Sequence, residues 1–157
     1  MIHEGLTENL VSVNSDAETQ RQILKDLASR LYKGGFVKDS YMNAVIGREI
    51  LYPTAIDMNG IGVAIPHTDT NHVNEAKIAV ATLKKPVTFI QMATQDVEVP
   101  VTILFMLAIT NPDKHIELLQ RIVAIIQDEE VLHKLQSANT AQQIIDVIRE
   151  KESLLDN

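Results

Sequence analysis

Apolar residues at Ile23, Leu24, Leu27, Ala28 and Leu31 recur at helical spacing and predict a first helix over residues 16–32. Ser15 and Glu18 fit the capping box that opens such a helix, and Gly34-Gly35 closes it. A second helix opens at Asp39 or Ser40, turns Met42, Val45 and Ile46 inward, carries Arg48 in its last turn and stops at Tyr52-Pro53. The pattern then changes between Val63 and Ile109. Ile78, Val80 and Thr82 alternate with smaller residues, and Val87-Thr-Phe-Ile90 is β-branched and aromatic. Val99 to Ile109 is almost wholly apolar apart from Thr102, which predicts a central strand buried on both faces. Helices return at Asn111-Pro112, where Asn111 can cap and Pro112 can take the first helical position without losing a needed donor. Leu118, Leu119, Ile122, Val123, Ile125 and Ile126 give that helix a broad apolar face. Asp128 caps a short helix holding Val131, Leu132 and Leu135, and Thr140 with Gln143 boxes the start of another that holds Ile144, Ile145 and Ile148. The polar stretch from Glu150 predicts a frayed end.

Helices first, strands in the middle and helices last predict a layered α/β domain with a mixed sheet. Residues 1–157, 45% hydrophobic and 22% charged, suit a single domain with a sizeable core. The net charge of −7 and the lack of clustered Lys and Arg argue against a nucleic-acid surface. Cysteine is absent, which excludes disulfides, a thiolate nucleophile and cysteine-ligated metal. No apolar run approaches the roughly 20 residues that span a bilayer, and the first residues do not read as a secretion signal, so a cytoplasmic protein is expected.

The chemistry concentrates in Gly60-Ile-Gly-Val-Ala-Ile-Pro-His67. Pro66 fixes its own φ and biases Ile65 to an extended conformation, so a short strand should end abruptly and present the His67 imidazole at its carboxyl edge. The small residues beside it leave room for a partner or an anion. His115 falls in the first turn of the helix that follows the buried strand, where the positive helix pole and unpaired backbone donors favour an anion. A histidine there resists gaining a proton and can donate a ring N–H to a phosphoryl oxygen. Arg48 ends the second helix, where a cation suits the negative pole and its planar fork can also grip phosphoryl oxygens. His67 and His72 invite a metal reading, but no third ligand stands at a suggestive spacing. His3 and His133 read as solvent-facing. Walker-type, dinucleotide and serine-elbow motifs are missing, so the chain is expected to use no nucleotide, metal or other cofactor.

Three segments together, Gly47-Arg48-Glu49-Ile-Leu-Tyr-Pro53-Thr54, Gly60-Ile-Gly-Val-Ala-Ile-Pro66-His67 and Asn111-Pro-Asp-Lys-His115-Ile-Glu-Leu-Leu119, resemble the enzyme IIA domain of the fructose and mannitol class of the bacterial phosphoenolpyruvate-dependent sugar phosphotransferase system. Val87-Thr-Phe-Ile-Gln91, Asp96-Val-Glu-Val-Pro-Val101 and His72 look most like its galactitol-specific branch. The resemblance implies an α/β fold with a mixed central sheet and helices packed on both faces. It also implies a phosphocarrier in which His67 takes a phosphoryl group from the phosphocarrier protein HPr. The group then passes to a cysteine of the IIB component, which phosphorylates sugar as the membrane component IIC imports it. By the same resemblance the attacking atom is Nε2, and His115 and Arg48 stabilise the moving phosphoryl group. The alternative reading is a regulatory module like the nitrogen-branch relatives, in which phosphorylation of His67 changes binding to a transporter or regulator. A hydrolase using a metal on His67 and His72 is the remaining rival.

Overall fold

Two long strands form the middle of the molecule because their sequences are apolar on successive residues rather than on alternate ones. The computed structural model describes residues 1–156. Its strands are β1 (Val11–Ser15), β2 (Ile56–Met58), β3 (Ile61–Ala64), β4 (Lys77–Ile90) and β5 (Glu98–Ala108). Its helices are α1 (Gln20–Lys33), α2 (Tyr41–Leu51), α3 (Pro112–Ile126), α4 (Glu129–Ser137) and α5 (Ala141–Leu155). The sheet order is β1-β4-β5-β3-β2. β4 pairs antiparallel with β5, while β1 on β4 and β3 on β5 are parallel, so the sheet is mixed. Successive strand residues point to opposite faces, and Ala79 to Leu83 and Ile103 to Ala108 are buried without a break. Both faces are therefore covered by helices, as expected.

The two stretches read separately at Ile78–Thr82 and Val87–Ile90 are one strand, β4, whose register against β5 shifts between Thr82 and Val87. The first helix starts later than Ser15 predicts. Ser15 ends strand β1, and the cap is Thr19, whose side chain accepts from the Gln22 backbone N–H. Thr19-x-x-Gln22 repeats the spacing of Ser15-x-x-Glu18 four residues downstream, and parallel pairing of β1 with β4 takes Ser15 out of competition. β2 and β3 form a hairpin closed by Asn59-Gly60, both at positive φ (54° and 93°), as a two-residue turn of this hand requires. Asn111, Asp128 and Thr140 each accept a backbone N–H at the start of α3, α4 and α5, as their sequences predict.

The chain end is helical through Leu155 rather than frayed. Glu152 is wholly buried and accepts hydrogen bonds from the backbone N–H groups of Ile2 and His3 at 2.8 and 2.7 Å. The His3 ring nitrogen Nδ1 lies 2.8 Å from the same carboxylate, so His3 is tied to α5 instead of facing solvent. No helix is long and apolar enough to cross a membrane among the described residues.

Candidate functional site

The parallel pairing of β3 with β5 decides where the chemistry sits. Gly62 pairs with Val101 and Ala64 with Leu104, so the carboxyl ends of both strands reach the same edge of the sheet. That edge is where open α/β sheets place ligands. His67 follows β3 by three residues, and His115 lies in the first turn of α3, which follows β5. The Leu107 N–H donates to the Pro66 carbonyl at 2.9 Å and ties the His67 segment to β5. The two imidazoles meet edge to face, with ring centroids 4.8 Å apart and planes at 67°.

Gly62 owes its lack of a side chain to strand packing, not to space for an anion. A Cβ there would lie 2.1 Å from the Pro100 carbonyl oxygen. Gly60 serves the hairpin turn. The first-turn donors of α3 are also engaged: Asp113 N–H bonds the Asn111 side chain, and Lys114 and His115 N–H bond the Asn111 carbonyl. The unpaired donors anticipated there are thus largely taken up by the cap, and the His115 ring carries the donor capacity that remains.

His67 is half-buried, with Nδ1 at 2.9 Å from the Ile65 carbonyl oxygen. A carbonyl can only accept, so Nδ1 carries the proton, and in the neutral ring Nε2 keeps its lone pair. Burial is the main influence holding the His67 pKa below the ordinary histidine value. The Ile65 bond opposes it, the positive fields of His115 and Arg48 reinforce it, and Asp69 opposes it again. His115 is lowered as well, first by burial and then by the Arg48 charge. Arg48 stands in the last turn of α2. Its guanidinium lies 5.0 Å from the Tyr52 ring and 4.0 Å from the Asp69 carboxylate, a distance that leaves its hydrogen-bond donors available.

All three sequence candidates, His67, His115 and Arg48, therefore come together at one edge of the sheet, where both imidazoles feel the guanidinium charge. His72 is engaged elsewhere, with Nδ1 2.8 Å from the Ser40 hydroxyl. Among the described residues no three His, Asp or Glu side chains gather in a way that would hold a metal. Two further polar residues stand behind the site. Glu49 is 3% exposed, and both its oxygens accept from Thr54, one from the backbone N–H and one from the hydroxyl, each at 2.7 Å. Burial pushes the Glu49 pKa up to about 7 against the opposing pull of those bonds and of Arg48. Glu49 and Thr54 belong to the Arg48-Glu49…Pro53-Thr54 segment, and a carboxylate five residues from a hydroxyl gave no local sign that they would pair. Around these groups the large apolar side chains of Ile50, Leu51 and Tyr52 at the end of α2, and Ile116 on α3, are exposed.

The chain is 29% identical over 155 residues to the fructose-specific EIIABC component of the phosphotransferase system of Bacillus subtilis (strain 168), covering 96% of this chain and 23% of that protein. It is 27% identical over 114 residues to the galactitol-specific EIIA component of Escherichia coli (strain K12), covering 73% of this chain and 75% of that one. The chain spans less than a quarter of the length of the first curated relatives it matches. Among solved structures, the complex of enzyme IIAMTL and phosphorylated enzyme IIBMTL from Escherichia coli aligns with a TM-score of 0.76 at 19% identity, over 92% of this chain and 97% of that one. That likeness concerns the fold, which is shared. The sequence model described as "Phosphoenolpyruvate-dependent sugar phosphotransferase system, EIIA 2" matches residues 4–151. Across nearly its whole length, then, this chain belongs to the EIIA 2 family of the phosphoenolpyruvate-dependent sugar phosphotransferase system.

Proposed function

We propose that the chain, as a single EIIA unit, is a cytoplasmic phosphocarrier that accepts a phosphoryl group on Nε2 of His67. The observation that carries this reading is an imidazole whose Nδ1–H is spent on the Ile65 carbonyl, so that the other nitrogen, on which burial disfavours a proton, is the only ring nucleophile. Phospho-HPr is the donor. Its N–P bond breaks as the bond from phosphorus to Nε2 forms, and the donor imidazole leaves with the electron pair. In the second transfer that bond breaks and an S–P bond forms on a cysteine thiolate of a IIB component, which serves the membrane component IIC.

Arg48 and the His115 ring supply positive charge and a donor to the phosphoryl oxygens during both steps. The exposed apolar side chains of Ile50, Leu51, Tyr52 and Ile116 suit the face of a protein donor or acceptor. For the sugar, galactitol or a related compound is the reading supported by residues 87–91 and 96–101 and by the galactitol-specific relative. Labelling with phosphoenolpyruvate, enzyme I and HPr tests the proposal: wild type takes up acid-labile phosphate, and His67→Ala takes up none. Continued labelling of that variant would place the acceptor elsewhere. Subsequent transfer to a panel of IIB components identifies the sugar branch, and a labelled chain that passes phosphate to no IIB would favour the regulatory reading.

A further inference from the structure

We propose that Glu49, acting through Thr54 and Ile65, is the positioning residue that sets the tautomer of His67 and keeps its Nε2 free. The inference rests on the reading of His67 as phosphoryl acceptor and adds a residue that touches none of the reacting atoms. A continuous chain of hydrogen bonds carries it. Glu49 accepts from both donors of Thr54 at 2.7 Å. The Thr54 hydroxyl oxygen accepts the Ile65 N–H at 3.0 Å, and the Ile65 carbonyl accepts Nδ1–H of His67 at 2.9 Å.

Ile65 lies just past the end of β3, one residue beyond the last pair of the β3–β5 ladder, Ala64 with Leu104. A strand residue holds its carbonyl direction through ladder bonds, and a residue beyond the ladder needs a substitute. Thr54 supplies that substitute on the N–H side of Ile65, and the Leu107 bond to the Pro66 carbonyl supplies it on the far side. The Thr54 hydroxyl can accept from Ile65 reliably only while its own proton points elsewhere, and the Glu49 oxygen is the acceptor that takes it. Burial of the carboxylate makes that orientation strict, since an unpaired hydroxyl or carboxylate oxygen has no water to turn to. Glu49 also follows Arg48 directly on α2, so the same anchor fixes the helix turn that presents the guanidinium against the end of β3. One buried carboxylate thus couples the acceptor ring to its charge-stabilising partner. Loss of such support is expected to cost about tenfold or more in transfer rate, because a displacement of about 1 Å can cost 10²-fold.

The test reads the ring directly, by nitrogen NMR of the full chain at one pH above the Glu49 midpoint of about 7, alongside the labelling rate. Wild type is expected to show His67 protonated on Nδ1. In Glu49→Gln and Thr54→Val the Nε2–H tautomer of His67 grows and labelling slows, while Thr54→Ser, which keeps the hydroxyl, retains both wild-type signatures. His72 and His133 in the same spectra serve as controls and stay unchanged. A wild-type His67 ring in both Glu49→Gln and Thr54→Val overturns the assignment, as does a change shared equally by the control rings. If only one of those two variants folds, it decides alone; failure of both to fold rejects a positioning role in favour of a purely structural one. A wild-type chain that takes up no phosphate would fail the functional reading instead, and the ring spectra would still decide the positioning of His67.

Discussion

A histidine that must offer a lone pair has to stay unprotonated, and at this site three influences work toward that end. Burial, the neighbouring imidazole and the Arg48 guanidinium all disfavour a proton on His67, and burial and Arg48 do the same for His115. The sign gives a direct expectation. Removing the guanidinium in Arg48→Ala takes away a repulsion against the protonated rings, so the titration midpoints of both His67 and His115 rise toward the ordinary histidine value, as proton NMR of the two rings would report. Unmoved midpoints would mean that the guanidinium points away from the rings in solution. The same variant stays folded, because the Arg48 side chain is 36% exposed and its nearest carboxylate is 4.0 Å away. Its transfer rate falls by about 10²–10³, the usual effect of losing one preorganised donor, equivalent to about 2.7–4 kcal/mol of barrier. His115→Ala belongs to the same class, and wild-type rates in both variants would remove the pair from the mechanism.

Elements are set by short-range grammar where the strand or helix stands alone, and by partners where it does not. The caps at Asn111, Asp128 and Thr140 were legible because a side-chain oxygen two or three residues from its N–H is a local fact. β5 was legible because an unbroken apolar run has few places to go except the middle of a sheet. β1 and β2 are not legible from hydrophobic pattern alone. They are the two edges of the sheet, short and partly polar, and their strand character comes from the neighbours they pair with. The Asn59-Gly60 turn was the available sign for β2, since that dipeptide suits a two-residue hairpin. Gly62 is the position at which this scale becomes testable. With the Pro100 carbonyl 2.1 Å from where a Cβ would stand, Gly62→Ala forces β3 away from β5. The expected cost is about 1–3 kcal/mol, as for other overpacked sites, read as a lower urea midpoint with a similar slope. A wild-type midpoint would show that the two strands can separate freely. Because β3 carries His67, labelling should slow in the same variant.

At the scale of the whole molecule, charges that the sequence disperses are brought into the interior and couple stability to pH. His67 and His115 have folded-state pKa values below the unfolded one, so their contribution is complete above about pH 6.5 and is lost as pH falls through the lower folded values. Glu49 has the opposite sign. Its pKa rises from 4.5 to about 7 on folding, so its contribution is present below the unfolded value and is lost as pH rises through about 7. Urea unfolding of wild type and Glu49→Gln from about pH 4.5 to above 7 isolates this group, because the other titrations are common to both. Wild type is expected to lose stability relative to the variant as pH rises from about 4.5 to about 7 and to hold level above that, and a difference constant over this window would show that Glu49 keeps its ordinary pKa. Glu152 is buried because it receives the N–H groups of Ile2 and His3, which closes α5 onto the start of the chain.

Local spacing alone determined the helical faces, three of the caps, the buried strand β5 and the strand-end placement of His67 after Pro66. Each depends on residues within a turn or two of one another, where backbone geometry leaves little choice. Helix-end positions marked His115 and Arg48 as candidates, and the resemblance carried by three short segments joined them to His67. Tertiary structure decided what pairs across the sequence: the parallel alignment of β3 with β5 that brings His67 beside His115, the choice of Thr19 over Ser15 as a cap, and the burial of Glu49 and Glu152. Those outcomes depend on which distant groups can satisfy a buried donor or charge, and a polar residue such as Glu49 or Glu152 looks solvent-bound until the fold supplies its partner.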